Sequence, residues 1–273
     1  MDALKRCVKG DFQPTELRRY LAFESLCFWG IIFICWIVYP KENKYSIMTH
    51  TFSFLGSFES KHNPQGWWLF SIAMVFWGSA TVPVVVYLYR RFATISRWGA
   101  RAGALLLLAG CAGVVLVGLF PDAHGRVIGD MQWTDIHEKA AILIAIGYIL
   151  GIACHGLLLL LDRFSRGPFG GNSAFNHTRL AWPYAFWASM LTVAVYFQVK
   201  WEFVYGAMKE AAAESGQRIG SHWSEALNTR YSFPLWENLV IYTLFLFLVW
   251  FALVTPHEIP RTNRQPTKNP HNT

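Results

Sequence analysis

Six stretches of the chain run for about twenty residues with almost no fixed charge: Leu21–Tyr39, Trp67–Tyr89, Arg101–Phe120, Lys139–Leu161, Leu180–Lys200 and Phe233–Val254. An α-helix needs roughly 20 mainly apolar residues to cross the hydrocarbon core of a bilayer, so each stretch is read as a transmembrane helix. The pattern predicts an all-α integral membrane protein. A single six-helix transmembrane domain is expected over residues 1–255, with a flexible polar tail over 256–273, where Pro, Asn and Thr dominate. Basic residues precede the first run, as in a secretory leader. It nonetheless ends Ile37-Val38-Tyr39-Pro40, with no small-residue cleavage site, and is read as a retained anchor.

Two connectors break the simple alternation of span and polar loop. Between spans one and two, Ile47, Met48, Phe52, Phe54, Leu55 and Phe58 make the segment too apolar for a solvated loop. A re-entrant or interfacial segment folded back on the bundle is expected there. Between spans five and six, Glu202–Glu214 carries Ala and charge at helical spacing, and Ser221-His222-Trp223 opens a second helical stretch with a Ser cap. This predicts a short helical insert over the outer site, as a lid or an interfacial helix. Within the spans, Gly147, Gly151 and His155 share one helix face, and Gly103, Gly110 and Gly113 read as a helix contact. His155 reads as a hydrogen-bonded core histidine, and Pro83 should kink span two.

Composition sharpens this picture. The chain is 53% hydrophobic and 16% aromatic with only 15% charge, and its mean hydropathy is +0.27. A soluble nucleic-acid binder is excluded, despite a formal charge of +7. The charge sorts by topology instead. With both termini on one side, that side collects Lys5, Arg6, Lys9, Arg18, Arg19, Arg90, Arg91, Arg97, Arg101, Arg163, Arg166, Arg179, Arg261, Arg264 and Lys268. The positive-inside rule makes it cytoplasmic. Nine basic and eleven acidic residues remain for the outer side, which is the acidic one. The expected setting is a bacterial inner (plasma) membrane, and the expected partner is membrane lipid. All five cysteines fall in the N-terminal segment or the spans, so no outer disulfide is expected. Asn176-His177-Thr178 matches a glycosylation sequon but lies on the cytoplasmic side.

The candidate chemistry is on the outer side. His50 and Ser53 lie in the first outer loop, Asp122 and His124 follow Pro121 after span three, and His137 lies in the first turn of span four. There the positive end of the helix suits a neutral imidazole acting as general base or metal ligand. Asp135 with Glu138 reads as a capping box. Glu237, deep in the first turns of span six, is either paired or functional, and Glu202 closes span five nearby. Two arrangements are open. His137, Asp122 and His124 could hold a divalent metal such as zinc that activates a water. Alternatively, Ser53 acts as nucleophile with His137 as base and Asp122 as its orienter, while His50, His124, Glu237 and Glu202 contact substrate.

Ser53-Phe54-Leu55-Gly56 and His62-Asn63-Pro64 before span two, Gly118-Leu119-Phe120-Pro121-Asp122 after span three, and His137 with Ala140 opening span four resemble the membrane family called domain of unknown function 998. Phe54 stands where that family usually has an acid. More distantly, the chain is similar to eukaryotic membrane proteins that remodel GPI-anchor lipids. The resemblance implies a six-helix bundle with Ser53, Asp122 and His137 converging on the outer side; it assigns no reaction, and the distant relatives make lipid substrates plausible. The leading expectation is thus acyl transfer or hydrolysis on a lipid or lipid-linked molecule. A non-catalytic lipid- or partner-binding protein is the rival. A small-solute transporter is third, disfavoured by the missing repeat.

Overall fold

In the computed structural model the described residues are 2–165, 173, 175–215, 227 and 229–256. After a short N-terminal helix α1 (Asp2–Val8) come six helices long and apolar enough to cross a membrane: α2 (Pro14–Ile37), α3 (Trp67–Phe92), α4 (Arg97–Leu119), α5 (Trp133–Ser165), α6 (His177–Ser215) and α7 (Phe233–Val254). The only strands among the described residues, β1 (Val127–Ile128) and β2 (Met131–Gln132), form a small antiparallel hairpin between α4 and α5. Gly129, with φ of 58°, supplies the hairpin's left-handed turn, and Gly125, with φ of 82°, the turn that leads into β1.

Helices α3, α4 and α5 pack most closely, because small residues let their backbones approach. A Cβ on Gly147 would lie 2.4 Å from the Gly110 amide nitrogen, and one on Gly78 would lie 2.6 Å from the Cys111 carbonyl. Close approach through small residues replaces the hydrophobic drive that lipid cannot supply. The remaining interfaces are aromatic. Phe28 of α2 stacks on Phe245 of α7 at 5.2 Å and meets Trp77 of α3 at 4.9 Å. Leu26, Phe33, Leu105, Ile146, Leu157 and Leu246 point outward and stay exposed, as expected of faces solvated by acyl chains.

Several expectations need correction or sharpening. The stretch Glu202–Glu214 is not a separate insert: α6 continues without a break to Ser215, through Pro183. Ala-rich sequence with helical spacing simply extends the span, giving a helix of about 58 Å at ~1.5 Å per residue. The expected helix from Ser221 and the tail beyond residue 256 lie outside the described residues. Asp135 is not an N-cap, because α5 begins at Trp133. From the third helical position its carboxylate accepts from the Gln132 amide at 3.2 Å. Asn176 caps α6 by accepting from the Arg179 amide at 3.0 Å. At the same end, buried Asp162 of α5 accepts from the Ser173 hydroxyl at 2.6 Å and faces His177 of α6 at 3.2 Å. His155 is fully buried, its Nδ1 donating to the Gly151 carbonyl at 2.8 Å. Glu24, an acid inside the first span, is buried midway along α2, taking a 2.8 Å hydrogen bond from Thr81.

Candidate functional site

The loop between α2 and α3 is docked, not solvated. Phe52–Gly56 forms a 3-10 turn whose apolar side chains Phe52 and Leu55 are buried. The Phe52 ring meets Phe70 at 5.3 Å and Tyr242 at 5.9 Å. Two asparagines hold the turn's flanks. Asn63 is fully buried; it donates to the Leu55 carbonyl at 2.8 Å and accepts from the Gly66 amide at 3.1 Å. Asn238 of α7 donates to the carbonyls of His50 (2.9 Å) and Pro234 (2.8 Å), and accepts from Tyr45 (2.9 Å) and Tyr242 (3.1 Å). All four hydrogen-bonding positions of its amide are thereby filled. Ser232, the N-cap of α7, donates to the Met48 carbonyl and ties in the loop's beginning.

With the turn pinned this way, three predicted residues meet. The Ser53 hydroxyl donates to Asp122 at 3.5 Å, with Thr51 Oγ1 at 3.0 Å from the same oxygen. The Glu237 carboxylate lies alongside, close enough to the Phe52 amide and to Asp122 to interact electrostatically with both. Asp122 is where it is because Pro121 ends α4, leaving the acid half-buried in the turn that follows. A serine hydroxyl bridged to one carboxylate, with a second beside it, lies at the end of lipid-facing helices.

His137 supports this cluster from below. It is buried, and its Nδ1 lies 2.9 Å from the Phe120 carbonyl. A carbonyl can only accept, so Nδ1 is the donor of this bond. His137 thus fastens α5 to the residue two before Asp122.

The other histidines divide. His50 is buried among Tyr39, Tyr45 and Phe54, and burial lowers its pKa. Its Nδ1 accepts from Thr49 at 2.7 Å. His62 stacks on Phe54 at 3.9 Å and takes a 3.4 Å hydrogen bond from Tyr39 on Nδ1; burial, and then the charge of Lys61, push its pKa down to about 4. His124 is exposed and turned away from the cluster, its Nδ1 2.5 Å from Glu59. Burial tends to raise the Glu59 pKa, but the hydrogen bonds from His124 and Lys61 outweigh it and hold the carboxyl at about 2.

Two expectations fail on this geometry. His137, Asp122 and His124 do not gather as metal ligands: His124 pairs with Glu59, and His137 faces Phe120. Among the described residues no three of His, Cys, Asp and Glu are grouped to hold a metal ion. Glu202 is exposed on α6, with no contact to the cluster among the described residues. Sequence reasoning also missed Asn238, Asn63, Tyr45 and Glu59 as organisers. Asn238 carried a usable signal, a second polar residue beside Glu237 in an otherwise apolar helix.

From residue 25 to residue 254 the chain matches the family described as protein of unknown function (DUF998). The chain belongs to this family. In this DUF998 protein the matched region takes in most of α2, all of α3 to α7 and both loops that build the cluster. No curated protein and no solved structure matches the chain.

Proposed function

We propose that this DUF998 protein is a lipid-modifying enzyme of the bacterial inner membrane, with both termini in the cytoplasm, hydrolysing or transferring an acyl group at the extracytoplasmic boundary. The hydrogen bond from Ser53 to Asp122, with Glu237 alongside, carries this reading. In the proposed reaction Ser53 Oγ attacks the ester carbonyl carbon and its proton passes to Asp122. The ester C–O bond breaks, and the departing alkoxide takes that proton from Asp122. Water or an acceptor alcohol then attacks the acyl-serine in the same way and frees Ser53. In this scheme His137 is a positioning residue, holding the Asp122 turn through Phe120. Lipid is favoured as the substrate class because the cluster adjoins faces solvated by acyl chains.

The test uses the full chain reconstituted in vesicles and a long-chain alkyl fluorophosphonate, which traps activated serines. The expected result is a covalent adduct at Ser53, abolished in Ser53→Ala and slowed at least ~100-fold in Asp122→Asn, the usual scale for losing a general base. A second reading, a non-catalytic lipid-binding protein, has its own observation: His137, Asn63 and Asn238 all bind loop backbone. Absence of any Ser53 adduct from a folded wild type, with bacterial lipid extract left unchanged on incubation, would favour that second reading.

A further inference from the structure

At the end of α4 opposite the Ser53 cluster, α3 and α4 enclose a groove of about 320 Å³. Its walls are Val85, Val86, Ala104, Leu105 and Leu108, and its mouth holds Tyr89, Arg97 and Arg101. A second hollow of about 270 Å³ continues from the mouth between Arg97, Trp98 and Arg101. Trp98 is 74% exposed, and the Arg101 guanidinium lies 5.8 Å from its ring centre.

We propose that this groove is a binding site for a phospholipid of net negative charge, its phosphate held by Arg97 and Arg101 and one acyl chain laid along the walls. Three observations converge on this. First, neither arginine has an acidic partner among the described residues, whereas neighbouring Arg90 pairs with Asp11 at 3.3 Å and Arg6 pairs with Glu16. Secondly, both arginines sit in the first turns of α4, where the helix's own dipole already concentrates positive charge and opposes theirs; an anion relieves both at once. Thirdly, from Arg97 to Leu108 the groove is about 16 Å long at ~1.5 Å per residue, the depth of one leaflet of a ~30 Å hydrocarbon core. Topology alone would require only that the arginines be somewhere in this loop. Here they stand at the mouth of an apolar groove with an interfacial tryptophan beside them, which is the arrangement expected for headgroup recognition between membrane helices. A free phosphate ion would use the arginines but leave the apolar walls without an occupant, so the lipid is the favoured source of the anion.

Native mass spectrometry of the full chain in detergent, with dioleoyl phosphatidylglycerol or dioleoyl phosphatidylcholine added, tests the proposal. The expected result is preferential retention of phosphatidylglycerol, reduced at least fivefold in R97Q/R101Q and largely restored in R97K/R101K. Leu105→Trp, which obstructs the walls and leaves both arginines, should cause a comparable loss. Equal retention of the two lipids, or full retention by R97Q/R101Q, would overturn it. Displacement of the lipid by millimolar inorganic phosphate would also overturn it, by making the site one for a free anion. Should R97Q/R101Q fail to fold, quenching by brominated phosphatidylglycerol decides: the wild type should be quenched more than Trp98→Phe, and equal quenching refutes the site.

Discussion

Lowering the pH from 8 to 5 should weaken the docking of the loop between α2 and α3 by about 2 kcal/mol through His62 alone. The imidazole is held neutral against Phe54, with a pKa of about 4, while an unfolded histidine has its ordinary value of 6.5. Because the folded value is the lower one, the stabilisation is complete above pH 6.5 and is lost as the pH falls towards 4. At pH 5 the undocked imidazole is almost fully protonated and the docked one about one-tenth so. The ratio of the two binding polynomials, roughly 30, is worth about 2 kcal/mol. His50 is shifted the same way and adds to the effect, whereas Glu59, held at about 2, matters only below about pH 4.5. Hydrogen exchange at the Asn63 and Gly66 amides reads the docking directly, since both donate within the pinned segment. Corrected for intrinsic rates, their protection should drop about 30-fold from the His62 contribution. His62→Phe keeps a ring against Phe54 but has no site for the proton, so its protection should depend on pH correspondingly less. An identical pH slope in wild type and His62→Phe would refute the argument.

Three further outcomes follow from the packing. Asn238→Leu leaves the Tyr45 and Tyr242 hydroxyls and the His50 carbonyl short of a partner and should cost at least about 3 kcal/mol, at 1–3 for each buried group left unpaired; a drop in melting temperature with new protease cleavage near residues 45–60 checks it. Gly147→Leu should destabilise by at least about 1–3 kcal/mol through overpacking against Gly110, whereas Gly206→Ala, with nothing near its Cβ, should be neutral or slightly stabilising; thermal melts of the two distinguish contact from propensity. Thr81→Val removes the donor to buried Glu24 and should cost about 1–3 kcal/mol, while the same change in a Glu24→Leu background should cost much less; a double-mutant cycle with no coupling would contradict that pairing.

How far the sequence could be read depended on the range of the interactions involved. The spans were legible because burial in lipid demands about twenty apolar residues in a row, a local and additive requirement. The docking of the first outer loop was legible for the same reason, since Phe52 and Leu55 had nowhere else to be buried. Ser53, Asp122 and Glu237 were each visible as polar groups out of place. Spacing alone does not show their meeting, which the family resemblance implied for Ser53 and Asp122 but not for Glu237, because they come from three segments, and the Asn238, Asn63 and His137 hydrogen bonds determine how those segments sit against one another.

His124 shows the opposite error. Beside Asp122 in sequence, it belongs by chemistry to a ligand set, yet a single charged partner, Glu59, turns it outward. Glu24 lies inside the first span, and its partner, Thr81 of α3, was not legible in the sequence. The sequence by itself determined which segments enter the membrane and which residue types are available at each boundary, because the solvent selects those one segment at a time. Only the tertiary structure decided which of those residues touch, because a hydrogen bond extends about 3 Å and its partners here lie up to 193 positions apart.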